Sequence, residues 1–363
     1  MDVRKTRRGP LLLCLRQLLS SLPMTRKADP AAAPTRAITK EDVARAAGVS
    51  HITVSRVINT PEKVSPATRE RVESFISSMG YIPNMLAGGL ASRRTRIVAA
   101  IVPTISHSIF AETVRGLSEQ LSLQGYQLLL GQTNYSEDAE TGLVEAFIGR
   151  RVDGLVLTGV QHSARTRQRL KAAGIPVVET WDMSPQPIDM LVGFDNHAAG
   201  QAMGDYLVRK GYRRMAFVGG DDPRGLARFA GMRDALVAQG APEPVHQVVA
   251  MGSFLQAGRE TICRLLALQP DIEAAFFSND VMAAGAALEC ARRGIAVPKR
   301  IALAGFANLE IATEVLPALT TVQISAHQIG VTAAEMLLTR FDGQPVAQAV
   351  CDLGYSILER DSA

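Results

Sequence analysis

Of the 363 residues only four are cysteines, Cys14, Cys263, Cys290 and Cys351, and no two stand at a disulfide-framework or metal-ligand spacing. They read as reduced thiols of a cytoplasmic protein. Cys263 and Cys290 fall in apolar helical patterns, where small hydrophobes are common. No uncharged apolar run approaches the ~18 residues of a spanning helix, so no membrane partner is expected. Catalytic signatures are also missing. There is no G-x-S-x-G, no H-E-x-x-H, and no G-x-G-x-x-G opening a helix. Gly219-Gly220-Asp221 follows an apolar strand but lacks the glycine spacing and lysine of a phosphate loop. The expectation is therefore a binder and not an enzyme, with no catalytic residue, cofactor or metal ligand. A C-terminal heptad region is absent too.

What is present is unevenly charged. Residues 1–37 hold eight Lys/Arg against two Asp/Glu, residues 38–96 nine against five, and residues 97–363 twenty-two against twenty-eight. A basic front on an acidic body suggests that only the front meets a polyanion. The first 37 residues imitate a signal peptide, with Arg4–Arg8 followed by Leu11–Leu19. Arg16 interrupts the apolar stretch and no small-x-small cleavage site follows, so a disordered or partly helical extension is expected, with Met24 an alternative initiator. Ala28–Pro34 reads as a linker.

The segment Ile38–Asn59 reads ITKEDVARAAGVSHITVSRVIN. Val43, Ala44 and Ala47 share a helical face, and Gly48 ends that helix. Ser50 suits an N-cap, and Val54, Val57 and Ile58 form the next apolar stripe. Two short helices around a glycine turn make a helix-turn-helix, with Ala47 and Gly48 allowing a close crossing. His51, Ile52, Ser55, Arg56 and Asn59 then face outward. In this motif the start of the second helix enters a major groove. Arg56 can grip guanine in two places, and Ile52 can touch a thymine methyl. Thr39, Ser50, Thr53 and Ser55 offer hydroxyls to phosphates. A third helix starts at Ser65-Pro66, turns Val72, Phe75, Ile76 and Met79 toward the first two, and stops at Gly80. The short stretch Met85–Ala91 carries paired glycines, so as a helix it is marginal alone.

The order V-A-x-x-A-G-V-S-x-x-T-V-S-R-V-x-N, then V-S-x-x-T-R-x-x-V, then G-Y-x-P-N-x-x-A-x-x-L resembles the lactose/galactose repressor family. The resemblance makes His51, Ile52 and Arg56 the base-reading positions and puts Asn59, Lys63 and Asn84 at backbone contacts. It sets Leu90 as a minor-groove wedge, with Ala87 packed nearby. Gly88-Gly89 departs from the family's hinge helix and implies a looser hinge. The domains expected are an extension over 1–37, an all-α DNA-binding domain over 38–82, a hinge over 83–95 and a sensor over 96–360.

From Arg96 onward, apolar strands alternate with amphipathic helices. Ten strands are expected: 97–102, 127–130, 154–157, 176–179, 191–194, 214–218, 245–250, 274–277, 301–306 and 319–324. Helices 110–124 and 198–210 are among those between them. Apolar strands between helices imply parallel sheets covered on both faces. With that many strands, two Rossmann-like α/β lobes are expected, with a ligand at the carboxyl ends of strands in the cleft. The body resembles the same family, whose sensor is periplasmic-binding-protein-like (type I). The runs that carry it are Phe217-Val-Gly-Gly, Arg228-Phe-Ala-Gly-Met, Phe276-Phe-Ser-Asn-Asp280, Ala304-Gly-Phe306 and Pro317–Thr321. Ile109–Gly116, Gly174–Glu179, Val192–Asn196 and Asp352-Leu-Gly354 look closest to the gluconate-operon repressor branch.

Where family members that bind neutral sugars place an Asp after G-[FY], this chain has Ala307. Losing a cleft carboxylate eases entry of an anion. Arg228 occupies the family's effector-binding arginine position, and Arg224 lies one turn earlier, so a sugar acid of gluconate or ketogluconate type is expected. Thr104, Ser106, Ser108 and Asn279 can serve its hydroxyls, with Ile109, Phe110, Trp181 and Phe254 as walls. Four positions stay open: Trp181 as wall or core filler, Arg224 as ligand or surface charge, Asp195 as ligand or partner of loop backbone, and Asp280 as ligand or helix cap. The mechanism implied is a homodimer on a palindromic operator, released when the effector closes the cleft, with corepression as the opposite sign. A periplasmic-type sugar-binding protein and a sugar-acid dehydrogenase are the rival readings. Residues 38–91 oppose the first, and the missing phosphate-loop glycines and acid–base pairs oppose the second.

Overall fold

The computed structural model describes residues 37–83, 94–105, 108–249 and 254–363. They fall into two compact units, one before residue 84 and one after residue 93. Asn84, Ala87, Gly88, Gly89, Leu90 and Ser106, assigned roles above, lie outside the described residues.

The N-terminal unit has three α-helices, α1 (Lys40–Ala47), α2 (His51–Asn59) and α3 (Pro66–Met79). Thr39 opens α1 with a reciprocal cap. Its hydroxyl accepts from the Asp42 amide, and the Asp42 carboxylate accepts from the Thr39 amide at 3.0 Å. Gly48 closes α1 in left-handed backbone, φ 65°, where a side chain would be strained. Ser50 then starts α2, its Oγ accepting from the Thr53 amide at 3.1 Å. Ser65 precedes α3 as expected, but its hydroxyl donates to the Thr68 hydroxyl at 2.9 Å and caps no amide. Val43, Ala44, Ala47, Val54, Val57 and Val72 form the core, covered by Phe75, Ile76, Met79 and Tyr81. These are the stripes that the helical spacing predicts.

The C-terminal unit has two six-stranded sheets. Sheet one takes β1 (Ile97–Val102), β2 (Gln127–Gln132), β3 (Gly154–Thr158), β4 (Val177–Thr180), β5 (Met190–Gly193) and β11 (Val350–Asp352) in the order β11-β5-β4-β3-β1-β2. Sheet two takes β6 (Met215–Gly219), β7 (Val245–Val248), β8 (Ala274–Phe277), β9 (Ala302–Ala307), β10 (Thr320–Ile324) and β12 (Tyr355–Leu358) in the order β12-β10-β9-β8-β6-β7. All neighbours are parallel except the β10–β12 pair. Between them run α4 (Ser108–Leu123), α5 (Glu137–Gly149), α6 (Ala164–Ala173), α7 (Asn196–Arg209), α8 (Pro223–Ala238), α9 (Phe254–Leu268), α10 (Asp280–Arg292), α11 (Ile311–Glu314) and α12 (Ala326–Phe341). The sheets are two lobes, and the chain passes between them after β5, after β10 and between β11 and β12.

Ten strands match expectation within a few residues, except that β7 ends at Val248 and not at residue 250. The last two strands were not expected. They are short, partly exposed edge strands with no apolar run to mark them. Helices meet at glycines. A Cβ on Gly231 would stand 1.9 Å from the His197 carbonyl oxygen, and one on Gly200 would stand 2.0 Å from that of Arg228. Nothing larger than glycine lets α7 and α8 approach this closely, and that approach fixes where Arg228 sits.

Candidate functional site

On α2 the core takes Val54 and Val57, and the opposite face is open. His51, Arg56 and Asn59 are exposed, and Ile52 is 52% exposed. An apolar branched side chain that the core does not use is available to a partner. Asn59 Nδ2 donates to the Ser55 carbonyl at 3.0 Å and to Ser55 Oγ at 3.3 Å. The Thr39 and Ser50 hydroxyls serve as helix caps, and Thr53 Oγ1 lies 3.0 Å from Ser50 Oγ. Lys63 is exposed in the 3-10 turn after α2. Neither Arg56 nor Lys63 has an ion-pair partner among the described residues. The result is a convex helix face with an uncommitted fork of donors, a form that suits a groove with acceptors on its floor.

The C-terminal unit holds a cavity of about 420 Å³, its open mouth included. Its wall is built from both lobes. Ile109 and Phe110 come from α4, Tyr135 from the turn after β2, and Trp181 from the turn after β4. Gly220, Asp222, Arg224, Arg228, Phe254, Ser278 and Asn279 come from the second lobe. Nearly all stand just past the carboxyl ends of parallel strands or open the helices that follow. Tyr135 (φ 65°) and Trp181 (φ 70°) hold left-handed backbone without being glycine. Strain of this kind persists where the surroundings impose it, and here it aims two rings at one cavity.

Arg228 is fully enclosed. Its Nε donates to Asn196 Oδ1 at 2.8 Å and its Nη1 to the Ser278 carbonyl at 2.9 Å. Burial pulls its guanidinium down to about 10, still protonated at neutral pH. Arg224 is buried against Phe110, and its Nη1 meets no hydrogen-bond partner among the described residues. Its Nε lies 3.6 Å from Asp222 Oδ1. Trp181 Nε1 donates to Thr113 Oγ1 at 3.1 Å, and its ring packs edge-on to Phe110. It is therefore both core and wall. Burial pushes the Tyr135 phenol up to about 12. Asn279 caps α10, its Oδ1 accepting from the Met282 amide at 2.9 Å.

Three expected effector contacts do not reach the cavity. Asp195 is exposed and caps α7 by accepting from the Ala198 amide at 2.9 Å. Asp280 is completely buried. It accepts from the Leu309 amide at 2.7 Å and the Thr321 hydroxyl at 2.6 Å, and burial pushes its carboxyl up to about 6. Gly305 leaves it room, because a Cβ there would lie 2.1 Å from Asp280 Oδ1. Thr104 is buried and does not line the wall. Tyr135, Asp222 and Ser278 line it without having been singled out.

Residues 39–84 match the family described as bacterial regulatory proteins, lacI family. Residues 95–349 match the family described as periplasmic binding proteins and sugar binding domain of LacI family. The chain is 34% identical over 318 residues to the HTH-type transcriptional regulator GntR of Escherichia coli, covering 87% of this chain and 96% of that protein. It is 35% identical over 326 residues to the HTH-type transcriptional regulator GntR of Pseudomonas aeruginosa, covering 89% and 95%. A solved LacI family transcriptional regulator from Silicibacter pomeroyi aligns with a TM-score of 0.85 at 36% identity, over 90% of this chain and 99% of that one.

Proposed function

Because the chain belongs to the lacI family of bacterial regulatory proteins, and so is a DNA-binding transcriptional repressor and not an enzyme, we propose that a sugar acid of gluconate or ketogluconate type releases it from its operator. The observation that carries this reading is the cavity wall, where two buried guanidiniums face a single lining carboxylate. A neutral sugar gives such a wall nothing to neutralise, whereas a carboxylate brings the acceptor and the negative charge that it lacks. Ala307, the last residue of β9, is buried and does not line the wall, so it carries no part of this reading.

In this reading α2 enters the major groove. His51, Ile52 and Arg56 read base edges, and Thr39, Ser50, Thr53, Ser55, Asn59 and Lys63 lie along the phosphates. Two copies address the two halves of a palindrome, in the cytoplasm, and control sugar-acid catabolism genes. The domain limits proposed are 38–82 for the DNA-binding part, 83–95 for the hinge and 96–360 for the sensor. Effector closes the cleft, and DNA and effector oppose each other by about 1–3 kcal/mol or more.

Calorimetry with gluconate, 2-ketogluconate and neutral hexoses, beside a mobility shift on operator DNA across a salt series, tests this. Acid binding, release of DNA by the same acid and a steep loss of affinity with salt are expected. Binding of a neutral hexose alone would overturn the acid reading, and effector-enhanced DNA binding would make the effector a corepressor.

A further inference from the structure

Arg224 belongs to the second lobe but reaches the first. Its guanidinium lies 5.4 Å from the centroid of the Phe110 ring. Its Nη1 stands 3.9 Å from where a Cβ would sit on Gly159, just past β3. The residue is only 8% exposed, yet among the described residues that nitrogen has no acceptor. A buried donor without an acceptor is rare and costly, and it implies an acceptor that arrives. Arg228 is in a different state. Its Nε and Nη1 are already spent on Asn196 and Ser278, and its face is covered by Phe306.

Tyr135 faces Arg224 from the first lobe. It lines the same cavity and lies within the electrostatic reach of Arg224, Asp222 and Arg228. Its amide donates to Thr133 Oγ1 at 3.2 Å, which holds the turn while the side chain lines the cavity. The lining residues thus carry two guanidiniums and one carboxylate, an excess of one positive charge. Asp182 faces both guanidiniums from outside the wall, its carboxyl pushed up by burial.

We propose that Arg224 and Tyr135, and not Arg228, read the effector's charge: a monoanionic carboxylate seated between them accepts from both and ties the lobes together, so that closure of the cleft is gated by charge. The proposal rests on the sugar-acid reading. A carboxylate only accepts, and both groups only need to donate. A hydroxymethyl end of the same shape is a weaker acceptor with no charge for Arg224, so a neutral polyol leaves the lobes uncoupled.

Trp181, the only tryptophan, lines the cavity and reports its occupancy by emission. The full-length protein, Arg224→Gln, Arg224→Lys and Tyr135→Phe are titrated with D-gluconate, with D-glucitol (the same polyol without the carboxylate) and with inorganic phosphate. In the unaltered protein gluconate should bind about 100-fold more tightly than glucitol. Arg224→Gln should lose that preference and treat the two alike, while Arg224→Lys recovers part of it. Tyr135→Phe should keep part of the gluconate affinity but respond less in gluconate-driven operator release. If Arg224→Gln binds gluconate as the unaltered protein does, the charge gate is wrong and the sugar-acid reading stands. If the unaltered protein binds glucitol but not gluconate or 2-ketogluconate, both readings fall. Competition by phosphate at gluconate-like concentrations overturns the monocarboxylate assignment.

Discussion

The Arg228 guanidinium lies flat over the Phe306 ring, 3.6 Å from its centroid. The contact ties α8 to the end of β9, while the bonds to Asn196 and Ser278 tie it to α7 and to the turn after β8. Arg228 is thus the framework on which the second lobe's side of the cavity is assembled. Lysine supplies the charge but neither the planar fork nor the stacking. Arg228→Lys should abolish the effector response and lower thermal stability by about 1–3 kcal/mol, from two acceptors left unmet in the interior. Differential scanning calorimetry and operator release read the two effects, and a normal response with unchanged melting rejects the role.

Arg56 projects from α2 with no competing partner among the described residues, so its loss should be felt in DNA recognition. Arg56→Ala should cost about 1–3 kcal/mol at one base position and relax preference there alone. Binding selection over randomised palindromes measures this. A uniform loss across all positions would make Arg56 a phosphate contact.

Gly231 is the tightest point of the α7–α8 crossing, where a Cβ would fall 1.9 Å from the His197 carbonyl oxygen. Backbone must move to admit a methyl, so Gly231→Ala should destabilise by about 1–3 kcal/mol or more. Gly142 has nothing within 4 Å of its built Cβ and serves as the control, since Gly142→Ala should be neutral or stabilising. Urea denaturation distinguishes them.

His162 is enclosed between Glu140, whose Oε1 lies 2.8 Å from Nδ1, and Glu179, whose Oε1 lies 3.4 Å from Nε2, with Arg167 3.6 Å from that same Glu179 oxygen. Burial alone would lower the imidazole, but the bond to Glu140 and the nearby Glu179 carboxylate outweigh it and raise it to about 9 from an ordinary 6.5. A group held higher in the folded state stabilises fully below its unfolded value and loses that contribution as pH rises through its folded one. Stability should therefore decline between pH 6.5 and about 9 by up to one proton's slope, and His162→Gln should flatten that interval. A slope that survives the substitution assigns it elsewhere.

What could be read in the residue order was whatever leaves a periodic trace. The apolar stripe of Val43, Ala44, Ala47, Val54 and Val57 and the glycine stop at Gly48 are local, and the structure keeps them. Strands β1, β3, β5, β6, β8 and β9 are buried, mainly apolar runs, whereas β11 and β12 are held by their neighbours and not by their own composition. At the cavity the limits are different. Asp195, Asp280 and Asn279 all begin helices after strands, yet only Asn279 lines the wall. Which way a carboxylate turns depends on partners distant in the chain, such as Thr321 for Asp280. Tyr135 gave no signal beyond following a strand, because its aim comes from a left-handed turn at Asn134–Tyr135. Asp222 lies one residue beyond the Gly219–Asp221 loop, whose place was right and whose phosphate-binding chemistry was absent.

The three passages between sheets mean that neither lobe is a contiguous stretch of chain. Sheet one lacks its outermost strand until Val350–Asp352 is made, more than 150 residues after β5. During synthesis β5 must wait with unpaired backbone groups while the whole second sheet except β12 emerges. A chain that ends anywhere in that interval leaves β5 as an open edge of sheet one, a template on which another strand can pair.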